Sequence, residues 1–238
     1  MIFGVDYYPE QWDKTEWKEH VKLMKEVGVN TVRIAEFAWG RLETEENKFD
    51  FVWLDEIIGI LAAEGIQVIL GTPTAAPPKW LVNKYDVYMR DKYSRVRGYG
   101  SRRECCSNNT NYITRSKIIV ERLAKHYGKN PNIIAWQIDN EFGCHGSTRC
   151  YCESCKRKFA QWLENKYKYI DRLNKAYGTV FWSQEYNDFS DVIFPAYTSC
   201  EGSYGDRWSH NPSLDMDFYC FSSDSWESWR TGWMRRPA

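Results

Sequence analysis

The chain has 238 residues, and its 32 Lys and Arg residues balance its 32 Asp and Glu residues. A balanced chain carries no strong positive field, which argues against a nucleic-acid partner and an anionic membrane surface. No stretch approaches the roughly 20 apolar residues of a membrane span. Met1 is followed by neither a basic start nor a long apolar segment, so the sequence predicts no secretory leader and a cytoplasmic location.

Strand-like and helix-like segments alternate along the first part of the chain. Strands are predicted at residues 3–7, 31–37, 67–74 and 133–141, and helices at 15–27, 52–64 and 114–127. This alternation favours a parallel sheet with right-handed crossovers. Polar and aromatic groups collect at the strand ends, and no Gly-x-Gly-x-x-Gly follows the first strand. The pattern therefore favours a (β/α)8 TIM barrel over a dinucleotide-binding fold.

The cysteines indicate a metal site more than a disulfide framework. Of the 8 cysteines, most crowd into residues 105–155. The Cys-x-Cys-x-x-Cys run at residues 150–155 supplies soft ligands close together, and Cys105 or Cys106 can complete a tetrahedral thiolate cage. Cys144 and His145 are more distant alternatives. A cage of four thiolates leaves no position for water, so the predicted role is a structural Zn²⁺.

The fourth predicted strand ends on Asn140 and Glu141, with Gly143 just beyond. A barrel places its catalytic acid at such a strand end. The same residues could equally be the polar end of a strand that enters a loop.

Several long motifs, in the right order, closely resemble the glycoside hydrolase family 42 β-galactosidases. They are Asp6-Tyr7-Tyr8-Pro9-Glu10-Gln11-Trp12, Arg33-Ile34-Ala35-Glu36-Phe37-Ala38-Trp39, Gly71-Thr72-Pro73-Thr74 with Pro77-Pro78-Lys79-Trp80, and Asp139-Asn140-Glu141. The resemblance covers the chain to about Trp226. It implies a TIM-barrel catalytic domain, retaining hydrolysis of terminal β-galactosides, and commonly a trimer.

The resemblance also implies roles for individual residues. Glu141 is similar to the family's general acid/base, while Asn140 and Arg102 are similar to its contacts with galactose hydroxyls. Trp182 resembles an aromatic residue that lines the sugar pocket, and plain packing is the alternative. Glu36 either binds a sugar hydroxyl or accepts a hydrogen bond from Arg33. The family's zinc ligands correspond to Cys106, Cys150, Cys152 and Cys155, which leaves Cys105 outside the cage.

The sequence departs from the family pattern after Glu141. Retaining hydrolysis needs a second carboxylate about 5 to 5.5 Å from the first, and no later Asp or Glu ends an apolar, strand-like run. We therefore expect the first half of a barrel, with four to five β-α units in residues 1–226. Residues 227–238 lose helical apolar spacing, which predicts a non-native or frame-shifted tail. Such a fragment is expected to be inactive alone.

The sequence leaves two other functions open. A related barrel glycosidase would cut arabinosides, fucosides or longer glycans, because Asn-Glu recurs on the fourth strand of many such enzymes. An inactive, zinc-stabilised module would bind a carbohydrate or a partner chain without turnover.

Overall fold

The computed structural model describes residues 1–196 and 211–232. Its main sheet is parallel and, with the helices that connect its strands, forms part of an α/β barrel. The strands are β1 (Gly4–Asp6), β2 (Thr31–Ile34), β5 (Gln67–Gly71) and β6 (Ile133–Gln137), in the order β1-β2-β5-β6. A small antiparallel pair, β3 (Glu43–Glu45) and β4 (Lys48–Phe49), lies between β2 and β5 in the chain.

The helices follow the predicted alternation. They are α1 (Trp17–Glu26), α2 (Trp39–Leu42), α3 (Val52–Ala63), α4 (Lys79–Lys84), α5 (Thr110–Tyr127), α6 (Glu153–Tyr167), α7 (Ile170–Tyr177) and α8 (Pro212–Gly232). None of the helices in the described part of the chain has the length and apolar character needed to cross a membrane.

Several boundaries differ from the prediction, and strands β5 and β6 end at Gly71 and Gln137, before the predicted positions 74 and 141. Strand β2 ends at Ile34 because Ala35 has a φ of +73°, a left-handed conformation that interrupts an extended strand. Helix α5 begins at Thr110, four residues earlier than position 114. Helix α8 continues to Gly232, beyond Trp226, into the segment of residues 227–238 for which the sequence predicts a non-native or frame-shifted tail.

Two compact units make up the chain. The first consists of Met1–Asp86, Tyr99–Arg103 and Thr114–Phe142, and it contains the parallel sheet. The inner strand β2 is largely buried, whereas every residue of β1 is exposed and β6 is exposed or half-buried. Among the described residues, β1 and β6 each have one strand neighbour. The sheet therefore has two open edges among the described residues.

The second unit comprises Val87–Gly98, Glu104–Ile113 and the described part of Gly143–Ala238. Helices α6, α7 and α8 enclose an aromatic core in which the rings of Phe159 and Phe218 lie 5.2 Å apart, edge to face. Buried Asp217 on α8 accepts hydrogen bonds from the hydroxyls of Tyr167, at 2.7 Å, and Tyr177, at 2.9 Å. Because these tyrosines lie on α6 and α7, one carboxylate links all three helices.

Candidate active site and metal centre

The chain turns sharply just after β6. Asp139 and Glu141 have φ values of +59° and +46°, in the region that L-residues rarely adopt. Asp139 donates its backbone N–H to Thr72 Oγ1 at 2.7 Å, and its own Oδ1 accepts from the Asn140 N–H at 2.7 Å. Gln137 Nε2 donates to Asn140 Oδ1 at 2.9 Å. These bonds fix the turn, so buried Asn140 and exposed Glu141 are presented from a rigid backbone.

Two adjacent arginines have different roles at this turn. Arg103 Nη1 lies 2.8 Å from Asp139 Oδ1, and both side chains are 1% exposed. Arg102 Nη2 lies 2.7 Å from Glu141 Oε2, with side chains 34% and 44% exposed. The buried pair holds the turn in place, whereas the exposed pair leaves a carboxyl group and a guanidinium group accessible to solvent.

Glu36 is fully buried beside these strand ends. Its Oε1 accepts from the hydroxyl of Tyr8 at 2.9 Å and lies 3.2 Å from Arg33 Nη2, so the contact with Arg33 is present. Its Oε2 has no hydrogen-bond partner among the described residues. The position of Gly71 explains part of this packing, because a Cβ there would lie 2.5 Å from the Glu36 Cβ.

A cleft of about 270 Å³ opens in the same unit, lined in part by Glu10, Phe37, Arg41 and Tyr99. Burial raises the pKa of the Glu10 carboxyl group, and the charge of Glu36 adds to this effect while that of Arg41 opposes it. The ring of Phe37 also lies 5.5 Å from Arg102 Cζ. Phe37 therefore lines the cleft and also lies next to Arg102, the arginine that contacts Glu141.

Trp182 belongs to the second unit. It is 56% exposed, has a φ of +61°, and stacks on Phe181 with ring centroids 4.7 Å apart. Exposed, stacked aromatic rings are surfaces on which sugars pack. A contact between Trp182 and sugar remains a prediction.

Four buried cysteines converge in the second unit. The Sγ atoms of Cys106, Cys150, Cys152 and Cys155 all lie within 4.8 Å of one another. Cys106 Sγ is 3.4 Å from that of Cys155 and 3.5 Å from that of Cys152. Tetrahedral zinc with Zn–S bonds of about 2.3 Å places its sulfur atoms about 3.8 Å apart, so the cluster could hold a metal ion of that size.

The chemistry of the thiols supports the same fit. Hydrogen bonds from the other three cysteines lower the pKa of Cys152, whereas hydrogen bonds within the same set, with burial, raise the pKa of Cys106. Ionisation of all four thiols at such short distances is unfavourable without a cation between them, because like charges repel. A soft divalent ion would supply the missing charge.

The other candidate ligands lie elsewhere. Cys105 is buried but stands outside the cluster, in an antiparallel bridge with Tyr88. Cys144 is exposed. Adjacent residues in an extended segment point to opposite sides, which is why one of the two neighbouring cysteines joins the cage.

Sequence reasoning missed the residues that support the turn. The ion pair between Arg103 and Asp139, the contact of Thr72 with the backbone, and the orphan oxygens of Glu10 and Glu36 were not predicted. For the ion pair, the sequence offered two consecutive arginines shortly before a cysteine pair. They gave no indication of which arginine would be buried.

Comparison with known proteins identifies relatives across almost the whole chain. The glycoside hydrolase family 42 β-galactosidase model matches residues 6–231. A β-galactosidase from a Thermus species is 46% identical over 224 residues, which are 94% of this chain and 34% of the relative. A β-galactosidase from the haloarchaeon Halorubrum lacusprofundi is 45% identical over 226 residues, which are 94% of this chain and 31% of the relative. The chain thus spans about a third of the length of the curated relatives it matches.

Solved structures give the same result for the fold. A β-galactosidase from Marinomonas ef1 superimposes with a TM-score of 0.89 and 39% identity, over 96% of this chain and 34% of the other. The β-galactosidase from Halorubrum lacusprofundi superimposes with a TM-score of 0.88 and 44% identity, over 96% of this chain and 33% of the other.

Proposed function

We propose that this chain, which belongs to the glycoside hydrolase family 42 β-galactosidases, supplies the acid/base part of a retaining β-galactosidase site. The observation that carries the proposal is the fixed turn at the end of β6, which presents Glu141 beside Arg102, with buried Asn140 next to them in the chain. The substrate class follows from the relatives, whose names describe β-galactosidases.

Each residue would have a distinct task. Glu141 would protonate the leaving oxygen and then, as a carboxylate, activate water in the second half of the reaction. Asn140 and Arg102 would donate hydrogen bonds to sugar hydroxyls, and such bonds lower the barrier when they tighten in the transition state. Glu36 Oε2 would accept from a hydroxyl, which would satisfy a buried oxygen that lacks a partner in the described chain.

The second carboxylate would come from the part of the barrel that the relatives carry beyond the matched region. For this reason we name no nucleophile, and we expect residues 1–226 to act as the first portion of a catalytic domain. For residues 227–238 a non-native tail is proposed from the sequence, and the burial of Trp229 in α8 is the observation that tests it. With its partner half, the barrel would assemble as a homo-oligomer, and the family resemblance favours a trimer.

For the thiol cluster, we propose a structural Zn²⁺ held by Cys106, Cys150, Cys152 and Cys155. The closed set of four sulfurs supports a structural role, because it leaves no open position for water. Clustered thiols that can hold a metal ion are typical of proteins in a reducing compartment, and we propose a cytoplasmic location.

The decisive test completes the barrel. Residues 1–226 would be fused to the segment that the Thermus relative carries beyond its matched region, and turnover of aryl β-D-galactosides would be measured. We expect the fusion to be active and Glu141→Gln to reduce kcat by about 10²- to 10⁴-fold. Azide should partly restore the variant on an aryl substrate with a good leaving group, since azide attacks a glycosyl intermediate without base assistance.

Glu56→Gln is the matched control, because Glu56 is a half-exposed carboxylate paired with Lys14 on the surface. The proposal fails if Glu141→Gln retains the activity of the control. Faster cleavage of arabinosides or fucosides would instead favour the related glycosidase function, and sugar binding without turnover would favour the binding module.

A further inference from the structure

A buried asparagine next to the thiol cluster makes contacts that ligand identity alone does not explain. The backbone N–H of Asn108 donates to Cys106 Sγ at 3.3 Å, and its side-chain Nδ2 donates to Cys155 Sγ at 3.4 Å. Asn108 is 7% exposed. One residue therefore directs two N–H groups at two of the four sulfurs.

These donors match the charge that a metal would leave at the cluster. Four thiolates around a divalent cation would carry a net charge of −2. Hydrogen bonds from N–H groups to ligating atoms orient the ligands and stabilise that charge. Asparagine suits this task because its amide carries two N–H donors and no charge.

The second side-chain contact of Asn108 leads to helix α8. Nδ2 also lies 3.0 Å from Ser225 Oγ, and the Ser225 hydroxyl donates to the Phe221 carbonyl oxygen at 2.8 Å. Phe221 is buried in the core cluster that includes the cysteines. The helix is therefore joined to the cage by a polar chain through Ser225 and by packing through Phe221.

We propose that Asn108 is a positioning residue that stabilises the thiolate cage and, through Ser225, makes the docking of α8 depend on metal occupancy. The proposal rests on the structural zinc site proposed above. In this proposal, Asn108 and Ser225 connect the metal site to α8, so that the packing of α8 becomes more stable when the metal is bound.

The test measures Zn²⁺ affinity by competition with a chromophoric chelator, on the full chain. Asn108→Ala is expected to weaken Zn²⁺ binding by roughly 10- to 100-fold, as removal of a partner of a ligating atom usually does. Asn108→Asp keeps the shape of the side chain but replaces the NH2 donor with a negatively charged oxygen. Its Zn²⁺ affinity should therefore fall by at least as much as that of Asn108→Ala. Asn165→Ala, at an exposed position of α6, is the control and should bind like the wild type.

A second readout follows the helix itself. Amide hydrogen exchange across residues 214–229 would be measured with Zn²⁺ and after its removal with EDTA. In the wild type, removal should speed exchange in α8. In Ser225→Ala, exchange should already be faster with Zn²⁺ bound, so that EDTA changes it less, whereas exposed Ser223→Ala should behave like the wild type.

The outcomes separate the two proposals. If the wild type binds no Zn²⁺, the zinc site and the role of Asn108 are both overturned. If the wild type binds Zn²⁺ and both Asn108 variants bind it equally well, the role of Asn108 alone is overturned. Should Asn108→Ala fail to fold, Ser225→Ala decides the link to α8, and an exchange pattern identical to that of Ser223→Ala would refute it.

Discussion

The polar groups of the thiol cluster contact one another, whereas several polar groups near the strand-end turn are exposed or lack a hydrogen-bond partner in the described chain. Four buried sulfurs in the second unit face one another, with N–H donors from Asn108 beside them, and a single cation would complete the set. In the first unit, Glu141 is half-exposed, and buried oxygens of Glu10 and Glu36 have no hydrogen-bond partner in the described chain.

This difference distinguishes the proposed structural site from the proposed catalytic site. A closed set of ligands gives stability and offers nothing to a substrate. A rigid turn with exposed or unsatisfied polar groups keeps binding capacity for a ligand, at some cost in stability. We therefore expect substitutions at the cluster to affect folding first, and those at Glu141 to affect chemistry first.

The largest expected effect is loss of a cage sulfur. Cys152→Ser should abolish tight Zn²⁺ binding and destabilise the second unit by several kcal/mol, since structural zinc in small domains supplies about 10 to 16 kcal/mol of apparent binding energy. Zinc content and the thermal unfolding midpoint would be measured, with Cys220→Ser, at an exposed thiol, as the control. Equal midpoints and zinc contents for the two variants would contradict a structural metal.

The buried ion pair should give the next largest effect. Asp139→Ala leaves the guanidinium of Arg103 buried without its carboxylate and should lower the free energy of unfolding by about 3 to 5 kcal/mol. Denaturant unfolding measures this loss. Glu56→Ala removes a half-exposed pair and should cost about 0 to 1 kcal/mol; similar losses in both variants would show that the turn does not depend on the pair.

Trp229 tests how far the second unit extends. This residue is 4% exposed and stacks on Tyr112 with ring centroids 4.7 Å apart. Trp229→Ala should cost about 3 kcal/mol in unfolding free energy, as for other buried aromatic residues. Half-exposed Trp182→Ala is the control. If the two losses are equally small, the chain after Trp226 behaves as the non-native tail that the sequence predicts.

The smallest expected effect concerns Glu10 and depends on pH. The pKa of its carboxyl group is raised on folding, so its contribution to stability is present below the ordinary carboxyl pKa and is lost as pH rises through the raised value. Glu10→Gln, which cannot ionise, should therefore be more stable than the wild type at pH 7 and lose this advantage near pH 4, where the wild-type carboxyl group is protonated in the folded state.

Denaturant unfolding at the two pH values measures the change. Glu45→Gln, in a pair with Lys48 whose side chains are both about two-thirds exposed, is the control. An advantage of Glu10→Gln that is equal at both pH values would show that ionisation of Glu10 is not the cause.

The sequence by itself determined the alternation of strands and helices, the position of Asn140 and Glu141 shortly after β6, and three clustered cysteines that are candidate metal ligands. These features depend on short stretches of sequence. Apolar spacing distinguishes strands from helices, and cysteines that lie close together in the chain can bind one metal ion without help from the rest of the fold. The left-handed residues that follow strands β2 and β6, Ala35 and Asp139, were not predicted, because neither residue type requires that conformation.

The tertiary structure alone decided which distant groups meet. Nothing in the adjacent pair Arg102 and Arg103 indicates that one contacts Glu141 and the other is buried against Asp139. The residues themselves left Cys105 and Cys106 as equal candidates, and the link from Asn108 to Ser225 joins positions more than a hundred residues apart. A shift of one residue in an extended segment reverses which side chain faces inward, and the packing of remote segments sets that register.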